Sequence, residues 1–185
     1  MYTPSQFPST SVSVDLNALA QNVAHVRRFA PHSEMLAVVK ANAYGHGALE
    51  VTRALQQLAV HRFAVATVEE GIALRQDGIQ DAILVMGATL QSQFQTLVAH
   101  RLTPVLYRAD MVPAFAVAVP PDATPYPVHI KIETGMGRLG LLPQEIPDLA
   151  GMPFFRATLR LEGHMTHLAD ADNSDATHTE QQLAG

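Results

Sequence analysis

The 185-residue chain contains no cysteine and no tryptophan, and only two of its 12 basic residues are lysine. Without cysteine there are no disulfides, thiolate metal sites or thiol nucleophiles, and a reducing compartment is allowed. Charge is also sparse. Charged residues make up 16% of the chain, and the formal net charge of -5 gives no electrostatic reason to expect nucleic acid or an anionic membrane as partner. No apolar run reaches membrane-spanning length, and the first 20 residues lack the basic start and continuous apolar core of a signal peptide. The expected location is cytoplasmic. With hydrophobic residues at 48%, the chain is long and apolar enough for one globular domain, or part of one.

Both lysines, Lys40 and Lys131, sit inside or at the end of apolar runs, where surface solubility does not explain them. Met35 to Val39 reads as a strand buried on both faces, of the kind that parallel sheets covered by helices contain. A lysine at the end of such a strand is taken partly out of water. That disfavours the ammonium form, and the free amine is the form that attacks carbonyls. Asn42, Tyr44, Gly45, His46 and Gly47 then place hydrogen-bonding side chains and permissive backbone in a strand-to-helix turn, and Ala48 to Leu58 follows as an amphipathic helix. In parallel α/β proteins ligands sit at that turn. The plain alternative is a lysine that snorkels to the rim beside an ordinary turn.

A leader over residues 1–10 precedes a short alternating strand at Ser11 to Val14, and Asp15 is placed to cap a helix that runs to about Ala30. Apolar strands are then predicted at Met35 to Val39, Arg62 to Thr67, Ala82 to Met86, Thr103 to Tyr107, Val128 to Glu133 and Leu159 to Thr166, with helical segments between them. Pro120 to Pro127 reads as a rigid connector. This period is that of a (β/α)8 TIM-type barrel or of an open doubly wound sheet. With no G-x-G-x-x-G and no Walker loop, the barrel is favoured. Eight units need roughly 250 residues, so the expectation is a barrel present only in part, about six of eight strands, within a longer protein.

Two further stretches carry polar residues in patterns. In VHIKIE the alternation directs His129, Lys131 and Glu133 to one face, and Arg138 follows in a glycine-rich loop suited to an anionic oxygen. In LEGHMTHLADAD, His164 and His167 invite a metal. Their spacing puts them on opposite faces of a strand, which favours His167 at the strand's end as a single positioned polar group.

Taken in order, AVVKANAYGHG, KIETGMGRLG and GHMTHLADAD closely resemble the alanine racemase family, which depends on pyridoxal 5'-phosphate (PLP). The resemblance implies a PLP-binding (β/α)8 barrel over residues 11–185, followed in the family by a mostly β domain that this chain lacks, and a head-to-tail homodimer. It implies interconversion of L-alanine and D-alanine, the latter for cell-wall peptidoglycan. By motif position, Lys40 matches the lysine that holds the cofactor covalently and acts as one of two catalytic bases. Tyr44 matches a tyrosine near the phosphate, and Arg138 the arginine beside the phenolic oxygen. Lys131 matches a lysine often carbamylated, and His167 the histidine that positions the opposing base. Glu133 stands where aspartate is usual. The family's second base is a tyrosine from the partner chain's C-terminal domain, and Tyr2, Tyr44, Tyr107 and Tyr126 all precede the third motif. A broad-specificity amino-acid racemase, a decarboxylase-like relative and a non-catalytic PLP-binding chain remain as alternatives. A barrel fragment with incidental lysines is opposed by the clustering of both lysines in the motifs.

Overall fold

The structure is a computed structural model that describes residues 11–184, so the leader expected over residues 1–10 lies outside the described residues. Six strands, β1 (Leu36–Val38), β2 (Arg62–Val65), β3 (Ala82–Val85), β4 (Thr103–Leu106), β5 (Tyr126–Lys131) and β6 (Leu159–Met165), form one sheet in sequence order. Every neighbouring pair is parallel. Parallel neighbours need a crossover, and helical segments supply it each time. An open doubly wound sheet reverses its strand order part-way, whereas an unbroken sequential order is that of a (β/α) barrel. The chain is therefore an α/β protein with a partial TIM-type barrel.

The sheet separates two apolar layers because successive side chains of a strand point to opposite faces. Phe63, Ile83, Val85, Leu106, Val128 and Ile130 face the helices and join the larger core. In that core Phe115 meets Phe94 and Tyr126 edge-on, at centroid distances of 5.2 and 5.6 Å. Ala64, Leu84 and Val105 fill the other face with Leu36, Met86 and Met165, which is the interior of the barrel. On that inner face Glu162 lies 3.7 Å from His129 Nε2 and 3.9 Å from an Arg62 guanidinium nitrogen. The interior is thus polar toward one end, apolar in the middle and, as described below, polar again where the strands end.

Local signals explain most element ends. Asp15 accepts from the N–H groups of Asn17 and Ala18 and so starts the helix Leu16–Phe29. Thr67 and Glu70 form a capping box at the start of the helix Val68–Gln76. Three expectations need correction, and one element is additional. Ser11 to Val14 forms no strand. Met35 to Val39 was expected to be buried on both faces, yet β1 has only three residues and Val38 is 36% exposed. β1 is an edge strand, and no strand among the described residues pairs with its outer side. The proline-rich connector ends earlier than expected, since Tyr126 and Pro127 already belong to β5. A short helix, Phe154–Ala157, was not anticipated and leads into β6.

Candidate active site

Val39 makes the last ladder contact of the first strand, donating to the Ala64 carbonyl at 2.8 Å. Lys40 follows. From Ala41 to Tyr44 the backbone then takes φ values of 50 to 55°, four consecutive residues in the left-handed region, before Gly45 and Gly47 at 88 and 90°. Each non-glycine residue there costs roughly 1–2 kcal/mol, so a left-handed turn persists only where its surroundings over-determine it. Ala43 donates to the Val39 carbonyl at 2.9 Å, and Gly47 to that of Asn42 at 2.9 Å. The Asn42 side chain accepts from Ala48 at 2.8 Å and starts the helix Ala48–Gln57. The Ala41 N–H reaches outside the turn, to Glu70 Oε1 at 2.7 Å. The sequence suggests an ordinary glycine turn. The strained residues are in fact the non-glycine ones, and the turn directs Lys40 and Tyr44 together, with the ammonium 5.7 Å from the ring centroid.

At the end of β5, Lys131 is 5% exposed. The expected row of His129, Lys131 and Glu133 is broken at its last member. Ile132 bridges to Leu141, and Glu133 turns its carboxylate back onto its own loop, accepting from Gly135 at 2.6 Å and Arg138 at 3.1 Å. The N–H groups of Gly137, Gly135, Arg138 and Met136 together hold the Glu133 carboxyl down at about 2. Gly140, at φ 144°, is required because a β-carbon there would come within 2.6 Å of the Glu133 nitrogen. Glu133 organises the loop that presents Arg138.

β6 ends at Met165, which places His167 beyond the strand. Its loop is tied down by Gln182, which is buried, from the helix Thr177–Ala184. The Gln182 amide donates to the His167 carbonyl at 2.9 Å and to Thr134 Oγ1 at 3.0 Å, while its oxygen accepts from Ala169 at 2.8 Å. Thr134 and Thr166 share a further hydrogen bond at 2.7 Å, joining the loops after β5 and β6.

Lys40, Tyr44, Lys131, Arg138 and His167 line one cavity of about 370 Å³, with apolar walls that include Met86 and Met165. All five predicted site residues are brought together, and among the described residues no carboxylate lines the cavity. The concentration of positive charge is felt by its members. Burial lowers the Lys131 pKa, and Arg138 lowers it further against an opposing pull from Glu133. Burial also lowers the His167 pKa, assisted by Arg138, Lys131 and Lys40. A cavity of this size, with an amine, a guanidinium, an imidazole and a phenol and no competing acid, suits a small anionic ligand that carries a reactive carbonyl. His164 does not line it, and among the described residues no group of three or more His, Asp or Glu is arranged to hold a metal ion. A larger groove of about 590 Å³ follows the helix Leu16–Phe29 and the open edge of β1, but its lining is mostly apolar. Two residues that organise the site are not evident from the sequence as functional. Glu70 has a readable signal, the T-x-x-E capping box, while Gln182 has none.

Comparison with known proteins agrees with this fold. The family model "Alanine racemase, N-terminal domain" matches residues 14–185. An alanine racemase of Carboxydothermus hydrogenoformans is 36% identical over 170 residues, covering 92% of this chain and 46% of that protein. One of Halalkalibacterium halodurans is 39% identical over 181 residues, covering 95% and 46%. The solved alanine racemase of a D-cycloserine-producing Streptomyces lavendulae superposes with a TM-score of 0.85 at 30% identity, covering 92% of this chain and 46% of that one. The chain thus spans about half the length of the curated relatives it matches.

Proposed function

Because the chain belongs to the alanine racemase N-terminal domain family, we propose that it forms the cofactor-holding part of a PLP-dependent isomerase that interconverts L-alanine and D-alanine. The observation that carries this reading is that the chain's only two lysines line the same carboxylate-free cavity, beside Arg138, Tyr44 and His167. When bound there, PLP withdraws electrons from the substrate's Cα and so acidifies the α-proton.

The chain's own residues have separable tasks. Lys40 Nζ is the amine that holds the cofactor and, once free, the base that moves a proton at alanine Cα on one face. Tyr44 offers its hydroxyl to the phosphate. Arg138 offers its guanidinium to the phenolic oxygen, from a loop whose backbone Glu133 holds. His167, whose burial and cationic neighbours favour the neutral imidazole, positions the base of the opposite face. That second base is a tyrosine from the C-terminal β domain of a partner chain in a homodimer. Tyr107 and Tyr126 are unavailable for it, since their hydroxyls hydrogen-bond to the Thr89 carbonyl and to the Leu97 and Leu102 carbonyls. Burial, with the like charge of Arg138 beside it, lowers the Lys131 pKa and so favours the free amine, the form that takes up carbon dioxide. Carbamylation turns that repulsion into an attraction. The setting proposed is the cytoplasm, with D-alanine supplied for peptidoglycan. No helix among the described residues is long and apolar enough to cross a membrane.

A visible absorption titration with PLP, followed by borohydride trapping and mass mapping, tests the reading on this chain and on Lys40→Ala. A band and a trapped adduct at Lys40 that both vanish in the variant are expected, and their absence from the unaltered chain overturns it. Racemisation of alanine by this chain joined to its family's C-terminal domain should be lost in Lys40→Ala and strongly reduced in Arg138→Ala. Faster turnover of lysine or arginine than of alanine would instead identify a broad-specificity racemase.

A further inference from the structure

The first strand leaves the sheet one residue before Lys40, and its departure removes two hydrogen-bond partners. In a parallel ladder the Val39 carbonyl is the next acceptor for the Ala66 N–H, because Val39 already donates to Ala64. Here that carbonyl is turned to Ala43 instead, as the left-handed turn requires. Ala66 and Ala41 are therefore both left with donors and no strand to meet them. Glu70 supplies both acceptors. Its Oε1 accepts from Ala41 at 2.7 Å, and its Oε2 accepts from Ala66 at 2.7 Å and Thr67 at 3.2 Å.

We propose that Glu70 is a positioning residue for Lys40: its carboxylate replaces the missing rung between the first two strands and so holds the left-handed turn that aims the lysine amine into the cavity. This rests on the proposed role of Lys40 as the cofactor-holding amine. Capping the helix Val68–Gln76 needs only one of the two oxygens, since Oε2 alone serves Thr67. The second oxygen, directed across to a residue 29 positions earlier in the chain, is surplus to a cap. The two tasks are therefore separable by substitution. Glu70→Asp keeps an acid at the helix start but shortens the reach to Ala41. Glu70→Gln keeps the length but replaces one acceptor with a donor. Thr67→Ala removes the cap hydroxyl and leaves the bond to Ala41 intact.

Two readouts distinguish this role from a merely structural one. The first is amide exchange at Ala41 in the chain without cofactor. The second is the rate at which borohydride traps PLP on Lys40. Loss of a bond to a charged acceptor predicts exchange about tenfold faster, and trapping about tenfold slower, in both Glu70 variants, with neither change in Thr67→Ala. Adding Ala41→Gly to Glu70→Asp should recover most of the trapping rate, because glycine takes a positive φ without the β-carbon clash. If circular dichroism shows Glu70→Gln unfolded, Glu70→Asp carries the comparison. Unchanged trapping in a folded Glu70→Asp overturns the inference, as does an equal loss in Thr67→Ala. If the unaltered chain traps nothing at Lys40, the proposed function fails. Glu70's hold on the turn is then decided by exchange alone, and unaltered exchange at Ala41 overturns it.

Discussion

Replacing Glu133 by glutamine tests how the loop that carries Arg138 is held. The carboxylate accepts from Gly135 at 2.6 Å and from Arg138 at 3.1 Å, and glutamine retains only one oxygen and no charge for these donors. Folding lowers the Glu133 pKa from 4.5 to about 2. The sign follows directly. The folded value is depressed, so the stabilisation is fully present above about 4.5 and is lost as the pH falls towards 2. At 1.36 kcal/mol per pKa unit this shift corresponds to ~3.4 kcal/mol. Because the side chain is partly open to water, screening reduces the effect to about 1–2 kcal/mol. Urea unfolding of both proteins at a series of pH values is the assay. Glu133→Gln should be less stable by about 1–2 kcal/mol at neutral pH, and the gap should close as the wild-type carboxyl protonates in acid. A gap that is absent at neutral pH, or that stays constant into acid, would refute the account of the loop.

Two other perturbations address the rest of the site. Arg138→Ala removes a cation that lowers the pKa of both Lys131 and His167. The His167 titration followed by NMR should therefore move upward in the variant, and an unmoved midpoint would contradict the shared field of the cavity. Gln182→Ala deletes three hydrogen bonds from a side chain buried to 3% exposure and leaves the Ala169 amide and the His167 carbonyl without their partner. The expected loss is about 2–3 kcal/mol in chemical denaturation, with faster amide exchange at Ala169.

The strands were legible because their apolar runs recur with a regular spacing, and the barrel topology followed once nucleotide-loop glycines were seen to be missing. Lys40, Lys131 and Arg138 stood out because a charged residue at the end of an apolar run, or among glycines, contradicts its local context. What the sequence concealed depends on pairing over distance. Val38 belongs to an apolar run yet lies exposed, because it lines both the site cavity and the groove beside β1, which composition does not reveal. Glu133 shares the alternation of His129 and Lys131 but leaves the strand, since Ile132 pairs with Leu141 and the four residues from Gly135 to Arg138 offer their N–H groups to its carboxylate. The left-handed course of Ala41 to Tyr44 has no local signature at all. It is selected by Glu70, 29 residues beyond Ala41, and by the Asn42 side chain capping the next helix.

That dependence on distance also shapes the cavity. Lys40 follows β1 and His167 follows β6, the two edges of the sheet. In a flat sheet, five inter-strand steps at about 4.8 Å would hold those strand ends roughly 24 Å apart. Both residues line one cavity with Lys131 and Arg138, so the sheet must curl strongly even with six strands. The curl is supported from within by the inner cluster of Ala64, Leu84 and Val105, packed against Leu36 of β1 and Met165 of β6, which brings side chains from both edges into one apolar contact. It is accommodated at the register shift between Val128 and His129, where β6 gains a residue on β5. Above that apolar layer, Glu70, Glu133 and Gln182 tie down the backbone of the turn or loop that carries Lys40, Arg138 and His167, respectively. The five site residues can therefore converge within this chain, because the inner packing that bends the sheet and the polar ties that hold its loops lie entirely among the described residues.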